Sequence, residues 1–237
     1  MNKKLLGKKA YGSIPHLPHS RLGEGDHSVE DGQAKICLKQ ERDRHDIIIV
    51  QEKLDGSNCC VAKVDGEILA LTRAGYEATT SKYEQHQFFA HWVRVNWMRF
   101  DQLLKEGERV CGEWLALAHG TRYDLKHEPF VVFDIMTGDK RLPYWEFLNR
   151  VMPHNFITPR LISYGKPIDH KKIIKQLEAV KFGAVDSVEG YIVRVERQGK
   201  VDFLAKWVRQ DKEDGKYFKE NYGEDVWNWR PIKFIKE

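Results

Sequence analysis

The stretch IIIVQEKLDGSN, residues 47–58, carries the strongest local signal of the fold. Its first four residues are apolar and β-branched, which predicts a short buried strand. The strand leads through Glu52 and Lys53 into an Asp-Gly turn at Asp55 and Gly56. Lys53 therefore lies at a strand end, where side chains commonly face a cleft. Such a lysine binds an anion as a cation or, once its amine is neutral, acts as a nucleophile. On this stretch alone, a solvated lysine before an ordinary turn is an equal alternative.

The flanking sequence predicts one α+β domain of strands mixed with helices. Residues 59–64 and 67–71 flank Asp65 and Gly66, a two-residue turn that predicts a β-hairpin. Further strands are predicted at residues 109–115, 130–135, 191–195 and 201–207. Apolar spacing predicts helices over residues 84–98, 143–151 and 170–180, with Asp169 capping the last. Residues 100–104 either extend the first helix or begin a second short one.

The domain organisation follows from where the regular patterns begin. Residues 1–46 are rich in Gly, Pro, His and charge, which is typical of loops. We predict that residues 1–46 form an N-terminal extension packed on or covering the core. Residues 47–237 then form the main folded domain.

Composition excludes several classes of protein. The 237 residues are 41% hydrophobic and 31% charged, as in globular proteins. No apolar run approaches the roughly 20 residues needed to span a bilayer, and the N-terminus lacks a secretory apolar region, so no membrane partner is expected. The four cysteines lack zinc-site spacing, and Cys59 and Cys60 are predicted to be buried on opposite faces of a strand. A reduced, cytoplasmic protein is predicted. Its net charge of +4 permits a polyanionic partner without requiring one.

Four later segments place polar or aromatic side chains in predicted strands. They are CGEWL with Glu113, FVVFDI with Phe133, EGYIVR with Glu189 and LAKWVR with Lys206. A lysine within an apolar strand is unfavourable unless it has an anionic partner. Each residue also has an ordinary structural interpretation, as an edge-strand charge, a core aromatic or a member of a structural ion pair.

Taken together and in this order, the segments resemble the ATP-dependent RNA ligases of the RNA ligase 2-like branch of the covalent nucleotidyltransferases. Residues 53–58 are similar to motif I, Arg73 to motif Ia, Glu113 to motif III, Phe133 to motif IIIa, Glu189 to motif IV and Lys206 to motif V. The resemblance spans residues 51–209. It implies a nucleotidyltransferase (adenylation) domain of antiparallel sheets flanked by helices.

The resemblance also implies a three-step reaction. Lys53 would attack the α-phosphorus of ATP and form a covalent lysyl-AMP. The AMP would pass to an RNA 5′-phosphate, and an RNA 3′-hydroxyl would then join that end and release AMP. Mg²⁺ or Mn²⁺ would assist. The implied partners are therefore ATP and RNA with 5′-phosphate and 3′-hydroxyl ends.

Individual roles follow from the same resemblance. Lys53, Lys206 and Glu189 would be catalytic. The nucleotide would be bound by Glu52, Lys53, Asn58, Arg73, Glu113, Phe133, Glu189 and Lys206, with Phe133 stacking on the adenine. The metal would be held by Glu189, Glu113 and Asp55. For two of these residues a role other than metal binding stays open. Glu113 would then contact the ribose, and Asp55 would position Lys53.

The sequence departs from the family pattern at motif V and near its end. The usual second cation of motif V falls on Val208, and the adjacent Arg209 is a candidate substitute. Only 28 residues follow Arg209, so no OB-fold is expected. These departures motivate a competing hypothesis, an RNA end-binding or sensing module with a nucleotide pocket but without sealing. A minimal DNA ligase and a GTP-using capping enzyme are competing hypotheses within the enzymes.

Overall fold

The computed structural model describes residues 4–230, and its main strands form two antiparallel sheets. The first sheet has the order β7-β1-β8-β9 and comprises β1 (Asp46–Lys53), β7 (Leu161–Gly165), β8 (Gly190–Arg197) and β9 (Lys200–Val208). The second has the order β3-β2-β4-β5-β6 and comprises β2 (Ser57–Val64), β3 (Glu67–Thr72), β4 (Glu108–Trp114), β5 (Phe130–Thr137) and β6 (Lys140–Arg141). Both sheets are open, and the described strands form no closed barrel.

Six α-helices flank the sheets in the described part of the chain. They are α1 (Asp31–Leu38), α2 (Glu84–Val95), α3 (Trp97–Leu103), α4 (Tyr144–Val151), α5 (His170–Ala179) and α6 (Lys219–Tyr222). Helices α2, α3 and α4 bury their aromatic faces against the second sheet, whereas α1 and α5 pack on the first. The predicted α+β class, with antiparallel sheets and flanking helices, is confirmed.

Local sequence signals account for most of these elements. The β2–β3 hairpin turns at Asp65 and Gly66, whose φ angles of 52° and 79° are the two positive values that such a turn requires. The Asp169 side chain accepts a hydrogen bond from the Lys171 amide and caps α5 as predicted. The predicted helix over residues 84–98 instead ends at Val95, and a second short helix, α3, begins at Trp97.

The two adjacent cysteines divide between two cores, as the alternation of a strand predicts. Cys59 packs with the helices that cover one face of the second sheet. Cys60 packs on the opposite face, together with Ala10 and Tyr11 from the N-terminal region. Both cysteines are fully buried.

The N-terminal residues contribute to the cores of both sheets. Leu17 and Cys37 are buried with Ile48 of β1 against the first sheet, and Cys37 lies in α1, a helix that the sequence did not predict. Ala10 and Tyr11 are buried against the second sheet. Residues of the N-terminal region therefore contact both sheets.

The passage from β1 to β2 positions the functional stretch. Strand β1 ends at Lys53 in the first sheet, and β2 begins at Ser57 in the second, so three residues cross between the sheets. A Cβ atom on Gly56 would lie 2.5 Å from the Trp114 carbonyl oxygen, which explains the glycine. The side chains around this crossing face the space between the two sheets.

Candidate active site

A cavity of about 910 Å³ lies between the two sheets. All nine site residues predicted from the sequence line it, although they come from positions as far apart as residues 52 and 206. They are Glu52, Lys53, Asp55, Asn58, Arg73, Glu113, Phe133, Glu189 and Lys206. A cavity of this size is large enough for a nucleotide. The fold therefore brings together every residue that the motifs selected.

Lys53 and Glu189 form the central ion pair of the cavity. Lys53 is the last residue of β1 and lies opposite Gly190 of β8, which places Glu189 beside it. The Lys53 ammonium donates a short hydrogen bond to Glu189 Oε2, and the carboxylate is almost fully buried. In this arrangement, the amine must be released from Glu189 before it can attack an electrophile.

Lys212 was not predicted as a nucleotide-site residue, yet its side chain reaches the same carboxylates. Its Nζ lies 2.6 Å from Glu189 Oε1, 3.0 Å from Asp55 Oδ1 and 3.1 Å from Asp214 Oδ1. Burial lowers the pKa of Lys212, but attraction to Glu189 and Asp55 outweighs burial, so its net pKa is raised well above the usual range. Lys212 is therefore a charged counter-ion for two buried carboxylates.

Arg209, the candidate substitute at motif V, makes different contacts. Its guanidinium donates to Asp211, with distances of 2.5 and 2.6 Å, and it is not among the residues lining the cavity. The cation that follows β9 and enters the cavity is Lys212 instead. No strand or helix periodicity marks Lys212 in the sequence, because it lies in an irregular segment after β9. Its position near motif V is the one signal that could have identified it.

The other two predicted metal ligands, Asp55 and Glu189, contact lysine side chains, whereas Glu113 contacts the backbone. Its Oε1 accepts a hydrogen bond from the Gly56 amide at 3.1 Å. Burial raises its pKa to about 7, the charge of Lys53 opposes this, and the carboxylates of Glu189 and Asp55 reinforce it. Within residues 4–230, no group of three or more side chains is arranged as a metal site. The chemistry of the three carboxylates nevertheless fits Mg²⁺ or Mn²⁺, because such hard cations prefer oxygen ligands.

Phe133 enters the cavity from a β-bulge. In the pairing of β4 with β5, Cys111 lies opposite Asp134 and Gly112 lies opposite Val132, so Phe133 has no partner residue on β4. A bulge of this kind re-aims a side chain and is common beside active sites. The ring of Phe133 is half-buried and lines the cavity.

Two buried oxygen atoms of the cavity lack hydrogen-bond partners among the described residues. They are Oε1 of Glu52 and Oδ1 of Asn58. The other oxygen of Glu52 accepts a hydrogen bond from Arg160 Nε at 3.1 Å. Burial raises the pKa of Glu52, and Arg160 opposes the shift. Unpartnered buried acceptors are unfavourable, so both atoms fit a site in which a ligand donates hydrogen bonds.

Two cations of the cavity contact the N-terminal region. Lys206, in β9, lies 3.6 Å from Asp26, and burial lowers its pKa while Asp26 opposes the shift. Arg73 follows β3, and its guanidinium lies 3.4 Å from the Gly12 carbonyl oxygen. N-terminal residues therefore belong to the surroundings of the cavity, which the sequence did not specify.

The comparisons with known proteins agree with this geometry. The model of the RNA ligase family matches residues 46–208. The chain is 27% identical over 133 residues to the uncharacterized protein MJ0414 of Methanocaldococcus jannaschii, a match that covers 52% of this chain and 30% of that protein.

Solved structures of the Naegleria gruberi RNA ligase share the fold. A ligand-free structure superposes with a TM-score of 0.54 at 17% identity, covering 89% of this chain and 59% of the ligase. A structure of the same ligase with ATP and Mn gives the same TM-score and identity over 88% of this chain and 59% of the ligase. The chain thus spans only part of the length of these relatives.

Among residues 4–230, no helix combines the length and the apolar character needed to cross a bilayer.

The family match covers more than two thirds of the chain. The protein therefore belongs to the RNA ligase family, a family of enzymes.

Proposed function

We propose that this chain is an ATP-dependent RNA ligase that forms a covalent lysyl-AMP on Lys53. It transfers the AMP to the 5′-phosphate of an RNA and joins that end to an RNA 3′-hydroxyl. The observation that carries the proposal is the convergence of all nine predicted residues on one cavity between the sheets. Family membership and the ATP-bound structure of the Naegleria ligase add support.

In the first step, the freed Lys53 amine attacks the α-phosphorus of ATP. An N–P bond forms, pyrophosphate leaves with the electron pair of the broken P–O bond, and the nitrogen gives a proton to water. Lys206 lines the cavity beside Lys53, and the charge of Lys53 contributes to its lowered pKa. We assign Lys206 to the α-phosphate, because a fixed cation stabilises the charge that develops there. The phosphate would replace Asp26 as its anionic partner.

The base, the ribose and the remaining phosphates are assigned to other residues that line the cavity. The flat face of Phe133 suits stacking on adenine. The unpartnered Oε1 of Glu52 is available to accept a hydrogen bond from the base. Asn58 contacts phosphate, and Arg73 contacts ribose or nucleic-acid phosphate. Glu113 accepts a hydrogen bond from the ribose or contributes to the metal site.

The divalent cation is assigned to Asp55, Glu189 and Glu113. When bound, Mg²⁺ or Mn²⁺ would supply positive charge that offsets the charge on the phosphates. Mn is present in the Naegleria ligase structure that contains ATP. Lys212 already lies between Asp55 and Glu189. We infer that it holds these carboxylates in place before the metal arrives.

In the later steps, an oxygen of the RNA 5′-phosphate attacks the phosphorus of lysyl-AMP. The P–N bond breaks, and Lys53 recovers a proton as the adenylate moves to the RNA end. The RNA 3′-hydroxyl then attacks the 5′-phosphorus, and AMP leaves. The electrostatic requirement is the same in each step, so Lys206 serves all three.

Adenylylation is tested by incubating the protein with α-labelled ATP and Mn²⁺, followed by denaturing electrophoresis. We expect covalent label on the wild-type protein and none on Lys53→Ala. Lys63→Ala is a matched control, because Lys63 pairs with Asp101 away from the cavity. Label that persists in Lys53→Ala, or its absence from the wild-type protein, would refute the proposal. Label from GTP but not from ATP would favour a capping enzyme.

Sealing is tested on nicked duplexes with 5′-phosphate and 3′-hydroxyl ends, using RNA and DNA nicks in parallel. Joining of the RNA nick supports the full proposal. Preference for the DNA nick indicates a DNA ligase. Tight binding to broken RNA, with covalent label but no joined product, indicates an end-binding module without sealing.

A further inference from the structure

The N-terminal strap, defined here as residues 5–21, connects the two sheets beside the cavity. At the second sheet, the Tyr11 amide donates to the Arg73 carbonyl oxygen at 3.3 Å. At the first sheet, the Leu17 amide donates to the Lys206 carbonyl oxygen at 2.7 Å. The strap therefore bonds to the backbone of two cavity-lining cations, Lys206 in the first sheet and Arg73 just after β3 of the second.

Within the strap, Tyr11 contributes a side chain to the cavity wall. It is 4% exposed and lines the cavity. Its ring packs edge-on against Phe133, with a centroid separation of 5.2 Å and an interplanar angle of 68°. Edge-to-face packing of this kind is a directional contact between aromatic rings. Tyr11 therefore restricts the orientation of the Phe133 ring.

Tyr11 is itself held firmly. Its hydroxyl donates to Asp134 Oδ2 at 2.7 Å, and Asp134 is fully buried. Asp134 also accepts hydrogen bonds from Arg194 and, at 3.2 Å, from Arg141 Nε. The Arg141 guanidinium lies over the Tyr11 ring, 5.1 Å from its centroid. Buried networks with several charge-assisted bonds hold their members in one geometry.

Phe133 needs such a constraint because it lies in the bulge. It has no partner residue on β4, so the sheet pairing there does not fix its orientation. Its carbonyl oxygen instead accepts a hydrogen bond from Arg194 at 3.2 Å. The backbone is thus held by Arg194, and the ring meets Tyr11 from the strap.

We propose that Tyr11 is a positioning residue for the nucleotide base, fixing the ring of Phe133 in the plane on which the base stacks. This inference rests on the proposed function, in which Phe133 stacks on adenine. It gives the N-terminal region a part in substrate binding.

The test measures equilibrium binding in the Lys53→Ala background, where no covalent bond forms. Calorimetry gives the dissociation constant of ATP, and competition gives that of tripolyphosphate, which has no base. An edge-on aromatic contact changes an equilibrium by roughly twofold to tenfold. We expect Tyr11→Leu to weaken ATP binding by that factor and to leave tripolyphosphate binding unchanged. Tyr11→Phe keeps the ring and should restore most of the ATP affinity.

The matched control is Met136→Ala. Met136 is buried in the same cluster as Tyr11 but does not line the cavity. The substitution should lower the free energy of unfolding and leave the ATP affinity unchanged. Equal weakening of ATP and tripolyphosphate by Tyr11→Leu, no weakening of either, or an equal effect of Met136→Ala on ATP overturns the inference.

Failure of the proposed function is seen separately. Wild-type protein that takes no label from ATP overturns the proposed function and this inference with it. Normal labelling of the wild-type protein, together with unchanged ATP affinity in Tyr11→Leu, overturns this inference alone.

Discussion

Replacing Lys212 by methionine removes the counter-ion of two buried carboxylates while keeping most of the side-chain volume. In the native protein, the side chains of Asp55 and Glu189 are only 4% and 3% exposed, and that of Lys212 is 12% exposed. Breaking a buried ion pair from one side costs about 3–5 kcal/mol, because a charge is left without compensation. Here that charge belongs to Asp55, since Glu189 keeps its contact with Lys53. We expect Lys212→Met to lower the free energy of unfolding by about 3 kcal/mol at pH 7.5 in the absence of divalent cations.

Lys63→Met is the control for this measurement. Lys63 lies 2.6 Å from Asp101, a comparable distance, but the two side chains are 20% and 38% exposed. Exposed pairs contribute roughly 0.2–1 kcal/mol, so this loss should be much smaller. Urea unfolding followed by circular dichroism gives both values. A loss in Lys212→Met no larger than that in Lys63→Met would refute the counter-ion role of Lys212.

Two further conditions test the electrostatic origin of the loss. In the wild-type protein, the pKa of Lys212 is raised, so its stabilisation is fully present below its unfolded pKa and disappears only when the pH rises through the folded one. Mn²⁺ at tenfold excess over its dissociation constant should restore about 1.4 kcal/mol to Lys212→Met.

Three other substitutions have defined outcomes. Burial raises the pKa of Glu113 from 4.5 to about 7. The free energy of unfolding of the wild-type protein should therefore fall relative to that of Glu113→Gln as the pH rises between these values. Urea titrations in which the two free energies change in parallel would contradict this. Gly190→Ala places a Cβ atom 1.9 Å from the Trp207 carbonyl oxygen and should cost about 3 kcal/mol in urea unfolding, whereas Gly32→Ala, with open space around it, should not destabilise the protein. Phe133→Leu should raise the KM for ATP in the labelling assay by roughly fivefold through loss of the stacking face, and an unchanged KM would argue against base stacking.

Much of the fold was predictable because its signals are local. The Asp65-Gly66 turn specifies a hairpin through the φ angles that it requires, and Asp169 begins a helix through a contact two residues away. Helix α1 was missed because its sequence is weakly amphipathic and follows a Gly-rich segment. Its burial depends on the first sheet, which forms from residues later in the chain.

The residues of the candidate site could be predicted only from the order of the motifs along the chain. Lys53 and Glu189 are 136 residues apart, and the resemblance to a family, rather than any local pattern, paired them. The contacts of Lys212 had no comparable signal. Neither did the raised pKa of Glu113, because burial and the charges of Asp55 and Glu189 are properties of the assembled cavity.

The sequence by itself determined the α+β class, the main strands and the identity of the residues that converge on the cavity. Strand periodicity and turn chemistry act over a few residues, and motif order is a property of the chain. Only the tertiary structure decided that Lys212 neutralises Asp55 and Glu189 and that Tyr11 meets Phe133. Tyr11 and its anchor Asp134 are 123 residues apart, so no local pattern encodes their contact. Such contacts arise only when the two sheets and the N-terminal strap pack together, because burial and charge proximity are set by packing.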